Sequence, residues 1–290
     1  MLVDAETFAL APGVERLLPR EGLKTELFSC LVETNTPVCE TAFDAFDEVR
    51  RLRRLVLECA DGEGLAVAAA GSHPFSNPAE QRIVDEPRYV KMVEELGPIA
   101  KRQLVCGLHV HVGMESFEEC LRTLDGIRPW LPHLLDASAN SPYLAGEETG
   151  ELSSRLGRLH ELPRSGPPPR LSTVPDWEAA VAEAGVDYTR IWWDARPHPR
   201  LGTLEVRIAD QPTSVERSAA LAALVQALCA VPPEPGPELL DAVRPAASEL
   251  GTWELVEPLL EPVEALRQLD VGRADGLEAV TADLVRRSHA

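Results

Sequence analysis

Lysine is nearly absent from this 290-residue chain, occurring only as Lys24, Lys91 and Lys101. No G-x-x-x-x-G-K-[ST] stretch exists, which excludes a P-loop as the means of holding a nucleotide. The lone G-x-G, Gly62-Glu63-Gly64, lacks the third glycine of a dinucleotide-binding turn. Basic residues number 28 against 47 acidic ones, and a net charge of −19 repels phosphate backbones, so nucleic acid is excluded as a partner. No apolar run approaches the ~20 residues of a membrane helix. The opening MLVDAETFAL has no basic segment ahead of an apolar one, so it does not read as a signal peptide. The six cysteines form no C-x-x-C pair, which argues against a zinc ribbon or a disulfide framework and fits reduced thiols in the cytoplasm. The acidity suits a protein that gathers divalent cations, and general solubility explains it equally well.

What is present is enough apolar residue, 44%, for a substantial core. Residues 24–35 alternate as a strand that exits at Thr36-Pro37. From Thr41 to Cys59, apolar residues recur at three and four, predicting an amphipathic helix with Arg50, Arg51, Arg53 and Arg54 toward solvent. Further strands are predicted over 65–70, 104–113, 189–194 and 202–209, and helices over 86–102, 116–137, 176–184 and 214–230. Prolines 232, 233, 235 and 237 mark a linker to an acidic helical tail. This order predicts an α+β fold, helices packed on one face of a mostly antiparallel sheet.

Three strands place polar side chains on one face. In CGLHVHVGM, residues 106–114, the period of two puts His109 and His111 together with Gly107 and Gly113, and Leu108, Val110 and Val112 behind. In GTLEVRIAD, Glu205 and Arg207 share the front while Leu204, Val206 and Ile208 share the back. In LVETN, Glu33 and Asn35 share a face. Each has a plainer reading: a Glu–Arg pair on a half-exposed sheet is ordinarily a surface ion pair worth ~0–1 kcal/mol. Together they offer two carboxylates, imidazole and a guanidinium to one surface, a set suited to Mg²⁺ or Mn²⁺ and to a phosphate or carboxylate.

GSHPF, RQLVCGLHVHVGM, SANSPYLAGEETGELSSR and WWDARPHPRLGTLEVRIADQPTSVE follow one another in an order and spacing that resembles the bacterial carboxylate–amine ligases, the type 2 glutamate–cysteine ligases. The resemblance runs from residue 2 to 230. It implies a glutamine-synthetase-like fold, a curved antiparallel sheet forming a funnel with helices outside, and a catalytic domain over 1–230 with 231–290 packed on it. It implies ATP and Mg²⁺ in the funnel, phosphorylation of a carboxylate (commonly the γ-carboxylate of glutamate), and displacement of phosphate by an amine such as cysteine. Glu33, His109 and Glu205 match metal positions, with Arg207 and Glu205 in catalytic ones. Arg155 matches a substrate-carboxylate contact, and Asn140, His111 and Trp193 match substrate-lining positions. His73 also falls in a motif, where a hydrogen bond fixing its own loop is an equal reading. The implied partners are small molecules, in a cytoplasmic enzyme compatible with a homo-oligomer.

Two family segments are missing. A G-x-E-x-E strand usually precedes the segment like LVDAET, which here follows Met1 directly, and an N-x-W-x-A-x-x-G helix usually follows residue 230. Three protein ligands hold one ion rather than a cluster. The expectations are therefore a start placed too late, or a non-catalytic glutamate- or metal-binding homologue serving as partner or regulator.

Overall fold

A computed structural model describes residues 1–234, 236 and 238–289. Its first long helix, Ala42–Gly62, begins in a capping box: Thr41 Oγ1 accepts from the Asp44 amide while the Asp44 carboxylate accepts from the Thr41 amide. Leu52, Val56 and Ala60 turn inward, and the helix lies against helix Val215–Ala230. That second helix is apolar on nearly every side, which is why it runs through the interior. Arg53 departs from the expected solvent-facing row. Its Nη1 donates to the carbonyls of Thr213 at 2.8 Å and Ser288 at 3.2 Å, tying the helix to the end of the chain.

The architecture is mixed helix and small sheets, antiparallel in every strand pair but one among the described residues. Strand Thr203–Val206 is the centre of a three-stranded sheet, with Ala195–His198 on one side and Val110–Gly113 on the other. Among the described residues the other sheets have two strands each, so no single broad curved sheet forms. The expected strand over 24–35 is instead a hairpin, Leu23–Thr25 against Val32–Thr34. It folds back because Leu27, Phe28, Cys30 and Leu31 are drawn together into the core. The strand expected over 189–194 is also divided: a turn of 3₁₀ helix spans Tyr188–Arg190, Trp192–Trp193 pairs with Ser165–Gly166, and the chain bends at Asp194.

Two apolar cores carry these elements. One lies behind the three-stranded sheet, where Ala195, Leu204, Val206 and Ile208 meet Leu124, Trp130, Leu224 and Leu228. The other joins Leu2, Val3, Phe28, Leu52 and Val56. The helices after the proline stretch feed both, Val243 and Ala247 entering the first and Val280 and Leu284 the second. Of the expected linker, Pro235 and Pro237 lie outside the described residues. All six cysteines are unpaired thiols. Among the described residues no helix is long and apolar enough to cross a membrane.

Leu204 is the fully buried back of the central strand. Leu204→Ala should therefore cost about 2–5 kcal/mol, as a cavity forms behind the sheet. Urea unfolding would show it as a lowered midpoint, and an unchanged midpoint would refute this placement of the core.

Candidate active site

The register of the sheet decides which side chains meet. Glu205 lies opposite Arg196 on one flank and opposite His111 on the other. Arg196 Nε donates to Glu205 Oε2 at 2.7 Å, and Arg207 Nη1 donates to Oε1. His109 Nδ1 and His111 Nε2 stand 3.8 and 3.7 Å from that same Oε1. The pair of histidines and the pair Glu205/Arg207 thus share one face, as the alternation predicts, and the Glu205 side chain is only 4% exposed. Burial favours protonating Glu205, but Arg207 and Arg196 outweigh it and hold the carboxyl down at about 2. Enclosure first, and then the Arg207 charge, push His109 well below the ordinary histidine value although its ring is 39% exposed. His111 is lowered by burial against the pull of Glu205, and its Nδ1 lies 2.9 Å from Thr203 Oγ1.

Other residues of the expected set fall elsewhere. Glu33 is on the hairpin opposite Lys24, in a different sheet. Arg155 is buried, with Nη1 and Nη2 donating to the carbonyls of Ile208 and Arg207 at 3.0 Å. It braces the site strand rather than offering its fork to a substrate, and its guanidinium occupies the space where a Cβ on Gly107 would lie. Asn140 has no exposure. Its amide nitrogen donates to Gln211 O and Thr213 Oγ1, and its Oδ1 accepts from Gln268, so it lines no cavity. Trp193 packs in the core edge-on to Trp177, while Trp192 is the more exposed of the pair. His73 fixes its own loop: Nδ1 accepts from the amides of Phe75 and Ser76, Nε2 donates to Phe8 O, and burial lowers it to about 4.

Some participants are not in the expected set. Arg196 and Asp194 continue the front face of the Ala195–His198 strand. Their alternation is visible in WDARPH once the strand is extended past Asp194. Glu26 follows the first hairpin strand and accepts from the Leu27 amide at 3.0 Å; burial and then Glu33 raise it, against the Leu27 amide, Arg88 and Arg207. Read as one strand, residues 24–35 put Glu26 and Glu33 on opposite faces, which hid it. His160 Nε2 donates to Asp194 Oδ1 at 2.8 Å, with Asp194 2% exposed.

Among the described residues no group of three His, Cys, Asp or Glu side chains is arranged to hold a metal ion. Glu205 is engaged by two guanidinium groups, with two imidazoles beside it. That is no all-protein cage. It is a donor set that Mg²⁺ would join only with phosphate and water supplying its remaining ligands. A cavity of about 690 Å³ does not sit over Glu205. It lies under residues 149–157 and reaches the sheet through His160.

The fold is shared with a solved structure, a bifunctional glutathione synthetase from Pasteurella multocida, at a TM-score of 0.61 and 14% identity over 96% of this chain and 49% of that one. The sequence narrows this further: residues 3–280 match the model of glutamate–cysteine ligase family 2 (GCS2), and the chain belongs to that family. A protein of Rubrobacter xylanophilus provisionally named glutamate–cysteine ligase 2-1 is 39% identical over 240 residues, 79% of this chain and 64% of that protein. A second from the same organism, provisionally named ligase 2-3, is 38% identical over 275 residues, covering 90% of this chain and 74% of its own length. A Herpetosiphon aurantiacus relative is 38% identical over 238 residues, 62% of its length. The chain thus spans a little under two thirds of the first and third of these relatives.

The folded value of Glu205, about 2, lies below its ordinary 4.5. The group therefore contributes stability that is present above about pH 4.5 and lost as pH falls through about 2. Glu205→Gln should flatten the stability profile in that window relative to the parent. At neutral pH it should cost about 3–5 kcal/mol, because Arg196 and Arg207 are left buried without a counter-charge. Urea unfolding at a series of pH values measures both, and parallel profiles would refute the pairing.

Proposed function

We propose that the chain is an ATP-dependent carboxylate–amine ligase that activates a carboxylate, the γ-carboxylate of glutamate, as an acyl phosphate and passes it to an amine. The observation that carries this is a cationic cluster in an acidic protein. Arg196 and Arg207 converge on the sheet face around the buried carboxylate of Glu205, in a chain of net charge −19. Such a cluster concentrates anions, and guanidinium forks match carboxylate and phosphate oxygens.

In this reading the three-stranded sheet is one wall of the family's funnel. A carboxylate oxygen attacks the terminal phosphorus of ATP, the oxygen–phosphorus bond forms, and ADP departs. The amine nitrogen then bonds the acyl carbon, and phosphate leaves. Arg207 holds the transferring oxygens. Its Nε is buried without a partner. Glu205 fixes the direction of Arg207 and Arg196. Glu205 and His109, with Glu33 from the hairpin, are the residues that would contribute to holding a Mg²⁺ brought in with the nucleotide, and such an ion would supply neutralisation of phosphate charge.

Arg207→Lys keeps the charge but cannot reproduce the fork. Glutamate-dependent ADP release should fall by about 10²–10³, the scale for losing one preorganised donor, with the circular dichroism spectrum unchanged. A rate within threefold of the parent would sink the assignment. ATP with Mg²⁺ should also raise the melting temperature of the parent chain more than ATP with EDTA does. Equal shifts would remove Glu205, His109 and Glu33 as metal ligands.

A further inference from the structure

Gly107 and Gly113 flank the two histidines on the front of the same stretch of chain, and the fold treats them oppositely. A Cβ on Gly107 would strike the Arg155 guanidinium, whereas a Cβ on Gly113 would meet nothing within 4 Å. Gly113 lies opposite Thr203, so this open space is on the face that carries Glu205 and Arg207. From Thr203 to Arg207 is four residues, or about 13 Å of strand. The opening therefore shares a surface with Arg207 and stands from it by the length of a small molecule.

Rings stand beside it. His111 is the next front residue along the strand; its side chain is 34% exposed and its Nδ1 lies 2.9 Å from Thr203 Oγ1. The His111 ring is 5.7 Å from that of His198, which flanks Thr203 on the other strand. His198 in turn meets Tyr188 edge-on, at 5.3 Å and 89°. Arg196, which holds Glu205 Oε2 through Nε, donates through Nη1 to the carbonyls of Tyr188, Thr189 and Ile191. The ring series is thus tied to the Glu205 cluster, and edge-on contacts fix the orientation of each ring. What they leave is an imidazole beside a floor of bare backbone, the close approach that glycine permits a ligand. A flat ring fits that place.

We infer that the space over Gly113 seats the aromatic base of the nucleotide against the His111 ring, with His198 and Tyr188 as the residues that position that ring. The inference rests on the ligase reading above, in which Arg207 takes the transferring phosphoryl group. A ribose triphosphate laid along the strand from Arg207 ends at the level of Thr203 and Gly113. On the way it passes Glu205, whose two oxygens are already covered by Arg196 and Arg207. Glycine is then a requirement of binding at residue 113, since any side chain there takes the room of the base.

Gly113→Val puts a β-branched side chain into empty space on a strand, so the chain should fold and its melting temperature should not drop. Calorimetry on the full chain with Mg²⁺ then compares ATP with inorganic tripolyphosphate, which has the phosphates and no base. The parent should bind ATP about tenfold more tightly, within the range that one stacked base supplies. Gly113→Val should bring ATP down to the level of tripolyphosphate and leave tripolyphosphate itself unchanged. His198→Ala should reproduce part of the loss, and His198→Phe should restore it, because a ring rather than a ring nitrogen holds His111 in place. If the parent binds the two ligands alike, or Gly113→Val leaves ATP the tighter or weakens both equally, the base site is overturned and the ligase reading stands. A Gly113→Val chain that does not fold would show that the space is not open, which overturns the site as well. No loss in His198→Ala, or a loss that Phe does not restore, overturns the positioning role. If the parent binds neither ligand, the ligase reading fails and the base site falls with it.

Discussion

The buried carboxylate of Glu205 is the constraint around which the front of the sheet is organised. Two guanidinium groups cannot lie side by side in a poorly hydrated place unless a counter-charge stands between them. Glu205 takes Arg196 on one oxygen and Arg207 on the other. The desolvation of all three is offset only while the triad is complete, since each charge removed leaves another exposed to low dielectric. The triad therefore fixes the directions in which Arg207 points, and it does so from a strand whose back is held by Leu204 and Val206 in the core. Apolar packing behind the sheet and ion pairing in front are two halves of one positioning device.

That arrangement was legible in the sequence to the extent that it obeys a period of two. The alternation through His109, Val110, His111 and through Leu204, Glu205, Val206, Arg207 is local, so it survives without knowledge of the neighbours. What was not legible depends on where the chain turns. Glu26 and Glu33 belong to opposite faces of a continuous strand, and only the reversal between Thr25 and Val32 turns the acids toward a common region. Arg196 was hidden by a strand boundary drawn at Asp194, where the chain bends and then resumes. Long helices were predicted well because capping and amphipathic spacing are local too, whereas the inward turn of Arg53 answers to carbonyls far along the chain at Thr213 and Ser288.

Residues in one motif do not share one role, and burial separates them. Asn140 and Arg155 fall within the same stretch and both carry the hydrogen-bonding capacity of a ligand contact. Yet each spends that capacity on the protein. Asp210, with no exposure, shows why: it accepts from the Asn140 amide, Ser141 Oγ and Ser153 Oγ, and Arg155 stands 4.0 Å away. Burial raises its pKa against the pull of Arg155 and these donors. The belt joins the loop after residue 138 to the strand that carries Arg207, and Gln268 ties the same loop to the tail helix. A motif read from spacing alone merges contact residues with the residues that hold the strand still. Fixing a guanidinium to within hydrogen-bond tolerance needs both.

The same belt separates two electrostatic regions that the net charge conceals. On the sheet side, Arg196 and Arg207 enclose the buried carboxylate of Glu205, and Arg155 lies beside Asp210. On the cavity side, Asp136 and Glu151 stand without partners around an apolar floor. The short helix Ser154–Leu159 sits at the boundary: Arg155 near its start braces the strand end at Arg207, and His160 just past its end lines the cavity. A movement of that helix would shift both regions together.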